Sequence, residues 1–174
     1  MDSNTYEIER KFLIKYPNTE LLKKEYGATE SVIEQIYLEK NEEGANRRIR
    51  KRTYENSSEY TATSKKRISD IKRIENERVI SREEYEALKK EADKKLTPIK
   101  KRRIIFNYKN HMLEIDIFDF WSAAAFLEIE LKSEEEQFEI PSCIEIVAEL
   151  TSDRRFTNHS IAKNIPDITI YMKK

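Results

Sequence analysis

Carboxylates recur at alternate positions in four places: Glu7 and Glu9, Glu75 and Glu77, Glu114 and Asp116, Glu128 and Glu130. Two basic pairs have the same spacing, Arg48 with Arg50 and Lys101 with Arg103. Alternate residues of a β-strand share a face, so each pair sets two like charges side by side on an extended segment. Paired carboxylates are hard oxygen donors of the kind Mg²⁺ and Mn²⁺ prefer, and rows of Arg and Lys match phosphate oxygens. The set implies a metal-bound polyphosphate; no single pair does. The plain alternative is an amphipathic sheet whose polar face lies in water. Sorting of sign weighs against it. Like charges on alternate residues repel, and such strands need opposite charges or bound ions beside them.

The elements that must position these pairs read as follows. Glu7-Ile8-Glu9-Arg10-Lys11-Phe12 puts Glu7, Glu9 and Lys11 on one face and Ile8, Arg10 and Phe12 on the other, extended by Ile14. A helix over 19–26 stops at Gly27, and strands follow over 31–39, 46–52 and 59–66, the last carrying Thr63 with Lys65. A fifth strand over 71–80 aligns Arg73, Glu75 and Glu77. Ser81-Arg82-Glu83-Glu84 matches a capping box, which predicts a helix to about Lys95. Strands over 99–108, 110–118 and 125–132 complete eight. The order is strand, helix, three strands, twice over, each half opening on Glu-x-Glu, so a weak internal duplication is read. In the tail, 144–150 reads as helix or strand, 158–164 as a short helix and 168–171 as a short strand.

These patterns predict an α+β fold: an eight-stranded antiparallel β-barrel of two β-α-β-β-β halves with flanking helices, as one domain over 1–174. Charged faces turned inward would form a polar tunnel, while helices and tail cover the apolar faces. Interior charges on this scale need ion pairs, metals or a charged ligand to offset them.

Composition sets bounds. The 33 basic and 33 acidic residues cancel, against a nucleic-acid or membrane-surface binder, which would carry a basic excess. Cys143 is the single cysteine, which excludes an internal disulfide and fits a reducing cytoplasm. Neither a signal peptide nor an apolar run near the roughly 18 residues of a membrane span is visible. Lys100-Lys101-Arg102-Arg103 is a weak nucleic-acid patch, because alternation aligns only Lys101 and Arg103. His111 and His159 read as surface or packing residues, and Cys143 has no catalytic partner in view. Tyr37 reads as packing and Gln35 as a ligand contact.

Taken in order, these segments resemble the CYTH superfamily, the triphosphate tunnel metalloenzymes. Glu7-Ile8-Glu9-Arg10-Lys11-Phe12-Leu13 is similar to the opening signature, Gln35-Ile36-Tyr37-Leu38 to the second-strand motif and Arg48-Ile49-Arg50 to the Arg-x-Arg strand. Residues 60–65 resemble Tyr-x-Leu-Thr-x-Lys with Ala62 for Leu; 73–77 resemble Arg-x-Glu-x-Glu, and 99–103 Ile-x-Lys-x-Arg. Residues 114–118 and 128–131 supply the acidic strands, and 149–158 resemble the closing Glu-Val-Thr…Asp…Arg-Tyr…Asn stretch. The family's glycines after the seventh strand are replaced by Asp119-Phe120-Trp121 and alanines, Leu127 stands for the usual Ala, and Ser142-Cys143 for a frequent Trp.

The resemblance implies one or two divalent cations, Mg²⁺ or Mn²⁺, held by Glu7, Glu9, Glu128 and Glu130 with Asp116, Glu75 and Glu77. It implies that Lys11, Arg48, Arg50, Lys65, Arg73, Lys101 and Arg103 grip the triphosphate, with Arg155 closing from the tail. Glu7, Glu9, Lys11, Glu128 and Glu130 would carry catalysis. The expected activity is hydrolysis of a triphosphate-containing small molecule, most simply inorganic tripolyphosphate, with no nucleic-acid or membrane partner and with a homodimer left open. Class IV adenylyl cyclase, thiamine or nucleoside triphosphatase, and a non-catalytic polyphosphate-binding module are the alternatives.

Overall fold

The computed structural model describes residues 8–41, 46–67 and 73–173, apart from the side chains of 65–67 and 73–75. The element order is β1 (Ile8–Lys15), α1 (Thr19–Tyr26), β2 (Thr29–Leu38), β3 (Asn46–Thr53), β4 (Ser58–Arg67), β5 (Arg73–Val79) and α2 (Arg82–Leu88). There follow β6 (Ile99–Tyr108), β7 (His111–Phe118), β8 (Ala124–Leu131), β9 (Ile146–Glu149), α3 (Asn158–Lys163) and α4 (Thr169–Met172). Local chemistry sets the ends of α1: the Asn18 side chain accepts from Leu21 N–H, and Gly27 turns left-handed at φ 62°. At α2, Ser81 caps Glu84 N–H, but the α-helix ends at Leu88 and passes into a 3₁₀ turn over Lys89–Glu91, well short of Lys95.

Two compact units divide the chain. One comprises the chain to Ser31, Lys101–Thr157 and the segment from Pro166; the other comprises Val32–Lys100 and Asn158–Ile165. In the first, strands pair antiparallel in the order β6-β7-β8-β1-β9, with Glu9 opposite Glu130, Lys11 opposite Glu128 and Glu114 opposite Glu128. In the second the order is β5-β4-β3-β2, with Arg48 opposite Tyr37 and Thr63, and Arg50 opposite Gln35 and Thr61. The sequence halves are not these units, since β1 of the first half pairs with β8 of the second.

Three expectations are corrected. The described residues contain nine strands rather than eight. The added β9 lies along the edge of β1 that β8 leaves open, satisfying backbone groups that would otherwise be unpaired. The hydrogen-bonded ladders do not close on themselves: β9 pairs with β1 alone and β5 with β4 alone among the described strands. Finally, the segment 168–171 is helical, because the Asp167 carboxylate accepts from Thr169 N–H at 2.8 Å and starts a helical turn.

Each unit has one apolar face. In the first, Phe12, Ile14, Ile104, Leu113, Ile115, Leu127 and Ile129 pack together beneath Leu22 of α1 and Ile144 of the tail. In the second, Ile36, Leu38 and Ile49 pack against Ile80 and Tyr85, the latter from α2. Burial of side chains this large is worth about 1.5–3 kcal/mol each, which fixes strand register and so sends the alternate, charged residues to the opposite face.

Candidate functional site

On the charged face of the first unit, register brings together Glu9 and Lys11 from β1, Lys101 and Arg103 from β6, Glu114 and Asp116 from β7, and Glu128 and Glu130 from β8. Arg103 is the hub. Its Nε and Nη2 donate to the two Asp116 oxygens at 2.7 Å each, Nη2 also reaches Glu128 at 3.0 Å, and Nη1 pairs with Glu114. Lys101 Nζ lies 2.5 Å from Asp116 Oδ2, and both side chains are essentially sealed from solvent (0% and 1% exposed). Lys11 Nζ lies 2.8 Å from Glu128 Oε1 and 5.3 Å from the centre of the Phe126 ring.

The electrostatics follow from this wiring. Burial alone would raise the Asp116 pKa, but Lys101 and Arg103 hold it well below the usual carboxylate range. Burial lowers Lys101 despite Asp116, helped by the neighbouring Arg103. Arg103 is pushed the other way: burial disfavours its charge, yet the surrounding acids raise its pKa. Burial, then Glu128, push Glu9 up to about 7 against the pull of Lys11. The Glu9 side chain keeps 45% of its exposure, so water moderates that effect.

The charged face of the second unit is built differently. Arg50 Nη2 donates to Gln35 Oε1 at 3.2 Å, and Gln35 Nε2 donates to the Tyr37 hydroxyl at 2.9 Å. Arg48 lies 4.0 Å from Glu77, whose carboxylate accepts from the Thr63 hydroxyl at 2.7 Å. Gln35, Thr61 and Thr63 are buried there, and Glu77 is exposed.

The chain matches the CYTH domain over residues 5–162. It belongs to the CYTH family. The crystal structure of the inorganic triphosphatase NE1496 is 25% identical, with a TM-score of 0.61, covering 94% of this chain and 98% of that one. A second structure of NE1496, described as a hypothetical protein, has a TM-score of 0.62 at 25% identity and covers 92% of this chain and 100% of that one. PH1819 from Pyrococcus horikoshii OT3, 20% identical with a TM-score of 0.52, covers 75% of this chain and 80% of that one and shows the fold alone. Curated proteins yield no match. The antiparallel sheet with flanking helices is thus the fold of this CYTH chain.

Against the residues expected from the CYTH signatures, Glu9, Lys11, Lys101, Arg103, Asp116, Glu128 and Glu130 share one face of one unit, and Arg48, Arg50 and Glu77 one face of the other. Arg155 is 60% exposed and held by Asp153 at 2.6 Å and by the Tyr171 hydroxyl at 3.0 Å. Glu7 lies outside the described residues, as do the side chains of Lys65, Arg73 and Glu75, although Lys65 and Glu75 are register partners. Glu114 stands outside the expected ligand set, and the Lys101–Asp116 pairing is not readable from sequence. The Glu114-x-Asp116 spacing already marks Glu114 as part of an acidic pair, whereas the Lys101–Asp116 contact is register information.

Among the described residues, no three His, Cys, Asp or Glu side chains converge on one point. The donor chemistry still separates the acids. Asp116 is saturated by two cations and does not fit an open metal ligand. Glu9 and Glu130, register partners with exposed side chains, do fit a hard cation: Lys11 Nζ lies 4.0 Å from the Glu9 carboxylate, and no described residue pairs with Glu130. No described helix is long and apolar enough to cross a membrane.

Proposed function

We propose that the protein is a divalent-metal-dependent triphosphatase, with inorganic tripolyphosphate as its simplest substrate. The observation that carries this reading is the gradient along the first unit's charged face, from saturated Asp116 to the open pair Glu9 and Glu130. CYTH membership and the likeness to an inorganic triphosphatase over 94% of the chain support it. Glu9 and Glu130, with Glu128 and Glu7, would hold Mg²⁺ or Mn²⁺, which supplies charge neutralisation and water activation when bound.

The chain's own residues do the rest. Lys11 presents an ammonium beside Glu128 and meets phosphate oxygens as a point charge, while Arg48 and Arg50 offer planar forks to further oxygens. Lys65, Arg73 and Arg155 extend this set, with Glu75 and Glu77 alongside. Arg103 fixes the positions of Glu128 and Glu114 directly, and Lys101 holds Asp116, so both position carboxylates rather than grip substrate. In the reaction a water oxygen bonds to the terminal phosphorus, the anhydride P–O bond breaks, and orthophosphate and pyrophosphate leave. In-line charge is offset by the fixed cations without reorganisation. One free, exposed cysteine fits work in a reducing compartment such as the cytoplasm.

The test is incubation with tripolyphosphate, ATP or thiamine triphosphate, with and without Mg²⁺ or Mn²⁺, reading phosphate, pyrophosphate and cyclic AMP. Metal-dependent orthophosphate release from tripolyphosphate is expected. Cyclic AMP from ATP, or binding with no product, would overturn the reading. Glu9→Gln with Glu130→Gln should cost about 10³ in turnover, close to 4 kcal/mol of barrier, with the fold intact by circular dichroism.

A further inference from the structure

The second unit also holds a cavity that the triphosphatase reading does not use. Its volume is about 620 Å³, and Lys40, Asn46, Asp93, Lys95, His159 and Lys163 line it. Three ammonium groups face one carboxylate, and among the described residues none of the three lysines makes an ion pair. The cations arrive from three chain segments: the end of β2, the loop after α2, and α3.

Main-chain hydrogen bonds hold those segments in place. Asp93 N–H donates to Tyr37 O at 3.0 Å, and Thr97 N–H donates to Ala162 O at 2.8 Å, tying the loop to β2 and to α3. The Asp93 carboxylate accepts from Lys95 N–H at 2.9 Å, so it shapes the loop as an Asx turn. His159 and Lys163 stand four residues apart on one side of α3. The His159 ring meets Tyr37 edge-on, 5.1 Å between centres at 89°, which fixes one wall. Burial, then Lys163 and Lys40, press the His159 pKa down against Asp93, so its ring is neutral at neutral pH.

We infer that this cavity is a second anion site, taking a condensed phosphate such as pyrophosphate. Among the described lining residues, three lysines and one carboxylate leave an excess of two positive charges, which suits a multiply charged anion. Lysine meets phosphate as a point charge without demanding planar geometry. The volume corresponds to some twenty waters at about 30 Å³ each, room for more than one phosphoryl group. The site does not depend on the triphosphatase reading, since it lies among residues that reading leaves aside.

His159 reports on it. The chain has two histidines, so ring signals are assigned with His159→Gln. In metal-free buffer, pyrophosphate titrated into the full chain should raise the His159 pKa by about half a pH unit, equivalent to about threefold tighter binding to the charged ring. His111, beside Glu136 at 3.2 Å, should not follow. The combined variant Lys40→Gln, Lys95→Gln, Lys163→Gln should lose the response while His159 keeps its ring-current shift from Tyr37. No movement, equal movement with sodium chloride at matched ionic strength, or a response surviving in the triple variant would each overturn the inference. Because the readout is binding without turnover, a failed phosphatase assay and a silent His159 are separate results.

Discussion

The two charged faces differ in how their charges are answered. In the first unit acids and bases interlock: Arg103 touches Asp116, Glu114 and Glu128, and Lys101 is buried against Asp116. In the second, Arg50 is met by the neutral amide of Gln35 at 3.2 Å, and Arg48 lies 4.0 Å from Glu77. Arg48 and Arg50 stand among hydroxyls and a tyrosine, from Thr61, Thr63 and Tyr37. The interlocked charges of the first unit build structure, while the proposed function assigns Arg48 and Arg50 to the ligand. On that reading the same spacing of two basic residues serves structure in one unit and ligand binding in the other.

The largest effect that would break this contrast is at Asp116. Asp116→Asn leaves the Lys101 ammonium sealed in the protein with no anion at 2.5 Å, and removes the bidentate partner of Arg103. Stripping one partner from a buried pair costs about 3–5 kcal/mol, read as a lower denaturant midpoint with unchanged slope. Stability untouched with turnover abolished would instead make Asp116 an open ligand and undo the distinction between the faces. The counterpart is Arg50→Lys, which keeps the charge and loses the planar fork. The expectation is a KM for tripolyphosphate raised about tenfold, near 1.4 kcal/mol, with the unfolding midpoint nearly unmoved. A large loss of stability there would mean that Arg50 is structural as well.

Much of this was legible from alternation. Strands β1 to β8 follow from residue patterns in which one face is apolar, and α1 was bounded by Asn18 and Gly27, whose capping chemistry is local. What alternation cannot supply is register. That Lys101 belongs to Asp116, or that His159 meets Tyr37 across more than a hundred residues of chain, depends on which strands and helices are neighbours. The short strand β9 was ambiguous because four residues carry too little periodicity and its register with β1 shifts between Leu13 and Ile14. The segment 168–171 was misread because Ile, Thr and Tyr favour strands, while the turn started by Asp167 outweighed that preference. The barrel is inferred from eight strands with like charges sorted onto one face, and neither feature tells which strands are hydrogen-bonded neighbours.

The smallest effect separates charge from packing at the edge of the first unit. Arg10 lies on the apolar side of β1, yet its guanidinium donates to both Glu149 oxygens at 2.6 and 2.7 Å and lies over the Phe12 and Phe138 rings at 5.6 and 5.3 Å. The Arg10 hydrogen bond, then Thr151, lower the Glu149 pKa below its ordinary 4.5. A depressed carboxylate stabilises the fold fully above its unfolded pKa and loses that contribution as pH falls. Both side chains are about a third or more exposed (32% and 42%), so screening keeps the pair below about 1 kcal/mol. Glu149→Gln should therefore differ from the parent above pH 4.5, converge with it as the parent's carboxylate protonates, and differ less at high salt. A gap that ignored both pH and salt would assign Arg10 to its ring contacts, making this edge a packing device rather than a second place where opposite charges organise the sheet.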